Sequence, residues 1–351
     1  MQKIAIARDD KWYLAWPDVT LCPSGKLVCI FSECTHHRDR SYTRIMLSDS
    51  CDRGRSWSSP RPLSEGTADC DYYYNCARIT RLSDGRLCAN VDKIPRRAPA
   101  GGSGEKNTSH LAENVLYFSS DDGASWGEQV TTPVRGIVPD KVLELPSGRW
   151  LLSCHHLQDG FLAQFVSYSD DQGGSWQGPI PAGKCAGLNL CEGSVLCVRD
   201  KLVCFLRENS GQGWDCFKTI SEDDGLSWSE PIHFPLPGCH RPVAGHLQDG
   251  RIMITYRFMQ GGKGWLGSWT QNFFAAVTDD DSALAHERRG AATRIMPIDY
   301  DRSANSDLGY SGWVQFPDGE IFVVNYIVDD APRGQIRGYA FMPDEFGGAP
   351  A

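Results

Sequence analysis

The sequence predicts an all-β fold, a six-bladed β-propeller, from three observations. A hairpin pattern, in which a Ser-Gly or Asp-Gly turn joins two apolar runs, recurs along the 351 residues. A short motif containing serine, aspartate, glycine and tryptophan stands between several of these hairpins. No long window shows sustained helical periodicity, and glycine and proline are spread evenly. A small sheet that cannot bury both faces alone must stack on copies of itself, and a closed ring of such sheets is a propeller.

The hairpin pattern sets the number of blades. In most copies a glycine supplies the positive φ that a tight turn between two strands requires. In the fourth copy an aspartate stands in place of that glycine. Six hairpins therefore predict six blades. Their turns are centred on Gly25, Gly85, Gly148, Asp200, Gly250 and Gly319.

The second repeat reads Ser-x-Asp-x-Gly-x-Ser-Trp and follows the hairpin. We expect its aspartate to accept backbone N–H groups of its own turn, its glycine to be left-handed, and its tryptophan to pack between blades. These are structural roles, so the motif aspartates are not predicted to be catalytic. A decayed fifth copy begins at Thr278. The four full copies are Ser50–Trp57, Ser119–Trp126, Ser169–Trp176 and Ser221–Trp228.

This second repeat resembles the Asp box, or BNR repeat, of the sialidase superfamily. The resemblance extends over essentially the whole chain and implies one six-bladed propeller domain spanning residues 1–351. The segment Lys3–Arg8 alternates like an edge strand. We expect it to close the ring by completing the last blade beside Gln335–Phe341.

Composition limits the classes of partner. The net charge of −9 and the absence of a Lys/Arg run argue against nucleic-acid binding. No apolar run is long enough to span a membrane, and the N-terminus lacks a signal peptide, so we expect a cytoplasmic protein. The fourteen cysteines lie mostly in apolar runs without a CxxC pair, which favours reduced packing residues over disulfides or zinc ligands. No cofactor or metal is predicted.

Two glycine-rich stretches, Ala100–Gly104 and Gly261–Gly267, are interpreted as flexible loops. Neither follows a strand and opens a helix, as a phosphate-binding loop does.

The propeller register predicts which residues surround the central funnel. The inner strand of each blade begins near the axis, so the residues just before each first apolar run should line the mouth. These are Trp16–Asp18, Cys76–Arg78, Pro139–Lys141, Cys191–Gly193, Arg241–Val243 and Tyr310–Gly312. The returning strands add Glu33, Asp92, Lys93, His155, His156, Arg207, Glu208, Tyr256 and Arg257. Ionisable groups at this density are typical of a functional site.

The resemblance implies catalytic roles for two of these residues. Tyr310, just before the last Asp-Gly hairpin, is similar to the tyrosine nucleophile of sialidases, and Glu192 is similar to the glutamate that activates it. Arg207 and Arg241 are similar to arginines that bind the substrate carboxylate.

The chain also departs from the family pattern. Sialidases carry an Arg-Ile-Pro motif at the head of the first blade, where this sequence reads Ala15–Asp18 without arginine. Arg78 is the candidate to fill that space, and Asp18 is a further candidate substrate-binding residue. The acid/base aspartate of the family corresponds by position to Asp39. The same loop holds His36 and His37, and His156 follows a later strand, so these histidines are added to the candidate substrate-binding residues.

These assignments predict an exo-acting glycoside hydrolase that cleaves a terminal, carboxylate-bearing sugar from a glycan. Asp39 or a histidine of the His36–His37 loop would protonate the leaving oxygen. The missing arginine leaves N-acetylneuraminic acid and uronate-type sugars both open as substrates. Two other functions remain open: a polysaccharide lyase acting on a uronate with His/Tyr acid–base chemistry, and a non-catalytic glycan-binding propeller.

Overall fold

The computed structural model describes residues 1–96, 108–260 and 270–346. It contains six four-stranded antiparallel sheets, which confirms the predicted six-bladed β-propeller. Both glycine-rich stretches, Ala100–Gly104 and Gly261–Gly267, lie outside the described residues.

The strands follow one another blade by blade. The first strand is β1 (Gln2–Ala7). Blade one contains β2 (Tyr13–Leu21), β3 (Leu27–His36), β4 (Asp39–Ser50) and β5 (Arg61–Pro62). Blade two contains β6 (Tyr72–Arg81), β7 (Leu87–Pro95), β8 (Glu113–Ser119) and β9 (Val130–Arg135). Blade three contains β10 (Leu143–Glu144), β11 (Trp150–Gln158), β12 (Phe161–Ser169) and β13 (Gln177–Gly183).

The second half of the chain repeats this order. Blade four contains β14 (Leu190–Val198), β15 (Lys201–Glu208), β16 (Asp215–Ser221) and β17 (Ile232–Pro237). Blade five contains β18 (Cys239–His246), β19 (Ile252–Gln260), β20 (Thr270–Thr278) and β21 (Arg294–Tyr300). Blade six contains β22 (Leu308–Gln315), β23 (Ile321–Ile327) and β24 (Gln335–Phe341). A short helix, α1 (Asp280–Leu284), and 3₁₀ turns at Ser109–Leu111, Arg288–Gly290 and Pro343–Phe346 complete the described elements.

The N-terminal strand completes blade six. β1 pairs antiparallel with β24, and Lys3 lies opposite Tyr339. The first strand of the chain is thus the outermost strand of the last blade, and this pairing closes the ring between the two ends of the sequence.

The inner strands share a local distortion that positions the site. In β2, β14, β18 and β22 the pairing register shifts near the axis, as in a β-bulge. Within each shift one residue other than glycine has a left-handed backbone: Trp16 (φ +52°), Glu192 (+50°), Arg241 (+52°) and Tyr310 (+51°). The bulge re-aims these side chains relative to the regular alternation of the strand.

The Asp boxes stabilise turns, as predicted. In the first copy, Asp52 Oδ1 accepts the backbone N–H of Ser56 at 2.8 Å, and Gly54 has φ +83°. The indole of Trp57 lies 5.8 Å from the ring of Phe322, which belongs to blade six. The motif therefore joins neighbouring blades.

Two repeats deviate from the pattern. In the fourth hairpin Arg199 takes the left-handed conformation (φ +57°), so the turn forms without a glycine. The decayed fifth Asp box does not form the same turn. Instead, Asp279 caps the N-terminus of α1 by accepting the backbone N–H of Ser282 at 2.7 Å.

All fourteen cysteines lie within the described residues and are free, and most of them are buried. The buried cysteines fill core positions, as the apolar runs indicate. None of the described helices is long and apolar enough to cross a membrane.

We predict that Gly54→Ala destabilises the protein more than Gly25→Ala. Both glycines have a φ near +85°, so both substitutions carry a backbone cost of about 1–2 kcal/mol. A Cβ on Gly54 would lie 2.3 Å from the Phe322 ring, whereas a Cβ on Gly25 meets nothing within 4 Å. Overpacking should therefore add about 1–3 kcal/mol at Gly54 only. Chemical denaturation of the two variants measures the difference, and equal losses would contradict packing between blades one and six.

Candidate active site

A cavity of about 850 Å³ opens at one mouth of the propeller, between blades one, four, five and six. Four arginines line it, together with two carboxylates, Glu192 and Asp307. Tyr13, Tyr310, His36 and His37 also reach the cavity wall. The arginines are Arg38, Arg207, Arg257 and Arg333.

The bulges of blades four and six bring together the two predicted catalytic residues. The Tyr310 hydroxyl donates a hydrogen bond to Glu192 Oε1, although the residues are far apart in sequence. Both side chains are buried at the floor of the cavity. The other carboxylate oxygen, Glu192 Oε2, is buried without a hydrogen-bond partner among the described residues.

Charge around Glu192 keeps its carboxyl group ionised. Burial alone would raise the pKa of this carboxyl, but the guanidinium groups of Arg207 and Arg257 outweigh burial and hold the pKa well below its usual range. Arg207 Nη1 lies 2.7 Å from Glu192 Oε1. In contrast, burial and the negative charge of Glu192 raise the pKa of the Tyr310 phenol well above its usual value. In the resting site the proton therefore stays on Tyr310 and points at a carboxylate that can accept it.

Arg257 occupies the position in blade five that Arg207 occupies in blade four. Arg207 pairs with Cys191, the residue before the Glu192 bulge, and Arg257 pairs with His240, the residue before the Arg241 bulge. The Arg257 guanidinium lies 5.6 Å from the centroid of the Tyr310 ring. The propeller register places Arg257 among the residues around the mouth of the funnel. An alignment of the hairpins strand by strand also shows that it is equivalent to Arg207.

Both of these arginines retain free donor capacity. Arg257 Nη1 donates to the Leu308 carbonyl at 3.3 Å, and Nη2 lies 3.4 Å from His240 Nδ1. The Nε atoms of Arg207 and Arg257 are buried and lack partners within the described parts of the chain. Planar N–H donors of this kind match a carboxylate.

A second pair of interacting side chains, His37 and Asp307, lies in the same cavity. His37 Nδ1 lies 2.5 Å from Asp307 Oδ2, which leaves the other ring nitrogen available to a ligand. Asp307 also accepts hydrogen bonds from Tyr13 at 2.5 Å and from Tyr326 at 2.8 Å. Burial opposes ionisation of Asp307, but the hydrogen bonds from His37 and Tyr13 prevail and lower its pKa. Asp307 is thus an ionised group that orients His37.

Asp307 is held in place by a second aspartate, Asp301. The Asp301 carboxylate accepts backbone N–H groups of Ser303 at 2.8 Å and Asp307 at 3.0 Å, and of Asp329 at 3.0 Å and Val328 at 3.3 Å. Four contacts on one carboxylate connect the loop before β22 to the loop after β23. The sequence contains no motif that marks either aspartate, because both lie in an irregular connection.

Three of the predicted substrate-binding residues lie beneath the cavity rather than in its lining. Arg241 is fully buried, and its Nη2 donates to the Pro139 carbonyl at 2.7 Å. Arg78 pairs with the buried Asp18 at 3.4 Å and donates to the Ser311 carbonyl at 2.7 Å. These contacts join the inner parts of different blades around the axis. Each guanidinium is used for holding the blades together.

The predicted loop residues separate into two groups. His36 and His37 line the cavity. Asp39 is exposed, accepts the backbone N–H of Ser41 at 2.8 Å, and is not part of the lining. His156 is half-buried, stacks on Phe165 with ring centroids 4.2 Å apart, and also lies outside the lining. Of the sequence candidates, the structure brings together Tyr310, Glu192, Arg207, His36 and His37.

No group of three or more His, Cys, Asp and Glu side chains that could hold a metal ion occurs in residues 1–96, 108–260 and 270–346.

Comparison with known proteins supports the resemblance seen in the repeats. Residues 98–267 match the family described as BNR repeat-like domain. A sialidase from Bacteroides fragilis (strain YCH46) is 25% identical over 208 residues, which cover 56% of this chain and 35% of that protein. The chain thus spans about a third of the length of the curated relative it matches.

Solved structures share the same architecture. A protein of unknown function from Dyadobacter fermentans DSM 18053 has a TM-score of 0.79 at 19% identity, with 97% of each chain covered. A Hadza microbial sialidase has a TM-score of 0.70 at 15% identity, covering 95% of this chain and 66% of that one. At these identities the likeness is one of fold.

The fold, the Asp boxes and the matching relatives together define a β-propeller built from BNR repeats. Residues 98–267 of the chain match the BNR repeat-like domain, and the chain is similar to a sialidase over 56% of its length.

We predict a pH dependence of stability from His155, which lies beneath Glu192. Its Nδ1 accepts the backbone N–H of Glu192 at 3.3 Å, and burial lowers its pKa from 6.5 to about 4. Because the unfolded chain protonates this histidine first, folding free energy is lost as the pH falls from 6.5 to about 4, by on the order of 3 kcal/mol.

His155→Asn keeps an acceptor but removes the titration, so its stability should fall less over this pH range. Thermal denaturation at a series of pH values measures the slope, and His286→Asn, at an exposed position, is the control. A slope equal to that of the unsubstituted protein would contradict a neutral buried His155.

Proposed function

We propose that the protein is an exo-acting glycoside hydrolase of the sialidase-like kind, which removes a terminal sugar bearing a carboxylate. The observation that carries the proposal is the hydrogen bond from the Tyr310 hydroxyl to the Glu192 carboxylate inside an arginine-lined cavity. Two of the similar proteins are sialidases, which supports this class of reaction.

Tyr310 is the proposed nucleophile. A neutral phenol approaches an anomeric carbon beside a carboxylate without the repulsion that a second carboxylate would meet. The raised pKa of Tyr310 keeps the phenol protonated until positive charge develops on the sugar. Glu192, whose pKa is held low, then accepts the proton as the oxygen attacks.

Arg207 and Arg257 are the proposed binding residues for the carboxylate of the sugar. They occupy equivalent positions in neighbouring blades, and both line the cavity. Their charge also stabilises Glu192 in its ionised form, so one pair of side chains supports both binding and proton transfer.

His37 is the proposed general acid. It lines the cavity, whereas Asp39 does not, and its Nδ1 contact with Asp307 orients the imidazole ring. Asp307 itself is a poor proton donor because its pKa is lowered. This assignment selects the histidine loop over Asp39 as the source of the proton.

The proposed reaction has two steps. In the first, the Tyr310 oxygen bonds to the anomeric carbon, Glu192 takes the phenol proton, and His37 protonates the departing oxygen as the glycosidic bond breaks. In the second, His37 takes a proton from water, the water oxygen bonds to the anomeric carbon, and Tyr310 leaves and regains its proton from Glu192. Two displacements give retention of configuration.

A uronate lyase is the second candidate, and the His37–Asp307 pair is the observation that favours it. A histidine oriented by a carboxylate can abstract a proton next to a carboxylate that arginines neutralise, and Tyr310 can protonate the leaving oxygen. Ultraviolet absorbance of an unsaturated uronate product would appear with a lyase and stay absent with a hydrolase.

We predict that Tyr310→Phe lowers kcat by about 10³-fold or more on an accepted glycoside, because the nucleophilic oxygen is lost. Glu192→Gln should lower kcat by about 10²–10⁴-fold, since the amide cannot take the phenol proton. Hydrolysis of 4-methylumbelliferyl N-acetylneuraminide and glucuronide measures turnover. Tyr300→Phe, at an exposed tyrosine, is the matched control and should retain full activity. Full turnover by Tyr310→Phe would rule out the nucleophile assignment.

We also predict that Arg257→Met weakens substrate binding, whereas Arg241→Met lowers the stability of the protein. Arg257→Met should raise KM by about tenfold or more, because a charge-assisted contact to the carboxylate is lost. Arg241→Met should mainly lower thermal stability, by about 1–3 kcal/mol, because the buried Pro139 carbonyl loses its partner. Kinetics and thermal denaturation of both variants test this. A large KM effect confined to Arg241→Met would instead place Arg241 at the substrate.

A further inference from the structure

The cavity carries more positive charge than the proposed reaction at the terminal sugar requires. Four arginines line it against two carboxylates, although the whole chain has a net charge of −9. Glu192 is paired with Arg207, and Asp307 is bound by His37 and two tyrosines. Neither carboxylate therefore forms a direct ion pair with another of the four arginines.

The other three arginines of the lining, Arg257, Arg38 and Arg333, occupy two separate parts of the cavity. Arg257 lies at the floor beside Tyr310, where the carboxylate of the reacting sugar would bind. Arg38 and Arg333 lie at the rim, on the turn between β3 and β4 and on the loop before β24. They form a separate group, which we call the rim arginines.

The rim arginines share one part of the mouth. Arg333 Nη1 donates to the Thr35 carbonyl at 3.3 Å, three positions before Arg38, and its Nε donates to the Asp10 carbonyl at 3.2 Å. Both acceptors are neutral. Arg38 is exposed, and no ion pair of its guanidinium occurs among the described residues. Arg333 thus contacts the segment that leads to Arg38, and both arginines line the same cavity.

His37 identifies which part of the substrate this rim faces. His37 immediately precedes Arg38, and it is the group proposed to protonate the leaving oxygen. A general acid must lie within hydrogen-bond reach of that oxygen, so the residue that departs lies on the side of His37. The rim arginines therefore flank the leaving group, and Arg257 and Arg207 flank the sugar that is attacked.

We propose that Arg38 and Arg333 form a subsite for an anionic group on the leaving sugar residue, so that the substrate is an oligosaccharide acidic at both residues of the cleaved bond. This inference rests on the proposed function. A guanidinium matches a carboxylate or sulfate through paired N–H donors. A chain of repeated acidic sugars meets the requirement at each cut, whereas a glycan with a neutral penultimate sugar leaves the rim unpaired.

The test measures binding separately from turnover, using full-length Tyr310→Phe protein. Two matched pairs of probes are titrated by calorimetry: α-1,4-linked digalacturonate with its reducing-end methyl ester, and α-2,8-linked disialic acid with its reducing-end methyl ester. Each ester keeps the terminal acidic sugar and the linkage but removes the charge from the leaving residue. We expect the free acid of the accepted pair to bind about tenfold more tightly than its ester, the factor of one charge-assisted contact.

Substitutions then test whether Arg38 causes the preference for the free acid over the ester. In the Tyr310→Phe background, Arg38→Gln should reduce the ratio of acid to ester affinity from about tenfold to about one- to twofold. Arg289→Gln, at an exposed arginine outside the cavity, should leave the ratio unchanged. The Arg38 variant loses no described contact of its guanidinium to a carboxylate, so its fold should be retained; circular dichroism checks this.

The outcomes distinguish the rim subsite from the proposed function. Equal binding of acid and ester in the accepted pair, or an unchanged ratio in folded Arg38→Gln, overturns the rim subsite and leaves the proposed function intact. Failure of all four probes to bind contradicts the proposed function and the subsite with it.

Discussion

The bulge at the head of the inner strands is the constraint on which the site depends. Trp16, Glu192, Arg241 and Tyr310 all have left-handed backbones, at a cost of about 1–2 kcal/mol for each residue with a Cβ. A regular strand would place its residues alternately on the two faces of the blade. The bulge interrupts that alternation, so that side chains of different blades can meet near the axis. Strain of this kind persists because the surrounding sheets over-determine the backbone.

The site is also an electrostatic network in which each buried charge has a defined role. Glu192 stays ionised despite burial because Arg207 and Arg257 surround it, and its charge keeps the proton on Tyr310. His155 beneath it stays neutral, with a pKa lowered to about 4, so it adds no further cation to the two arginines at the floor. Donors and acceptors arranged in this way before substrate arrives require little reorganisation during reaction.

Blade one shows how the chain departs from the family pattern. Where the resemblance leads one to expect an arginine, Trp16 occupies the bulge. Its ring lies 5.4 Å from that of His37 and 6.0 Å from that of Tyr326, and Arg40 covers it at 3.9 Å. An aromatic side chain here supports the proposed acid rather than binding a carboxylate. At this position the side chain packs against His37, whereas the family pattern would place a charged arginine here.

The sequence by itself determined the fold and much of the floor of the site. The six hairpin turns and four Asp boxes are local patterns. They can be recognised in the sequence because glycine and aspartate determine a turn through contacts within a few residues. The same register located Tyr310, Glu192 and Arg207, since equivalent strand positions in a propeller lie at equivalent distances from the axis.

Only the tertiary structure decided which of the remaining candidates reach the cavity. Arg241 and Arg257 lie at the head of the same hairpin, and the bulge directs the first beneath the floor and leaves the second beside Tyr310. Asp307 comes from an irregular loop whose course is set by Asp301 contacts with a segment distant in sequence. The Asp307 carboxylate binds His37, and His37 rather than Asp39 lines the cavity. Such contacts join separate blades, and no periodicity within one blade encodes them.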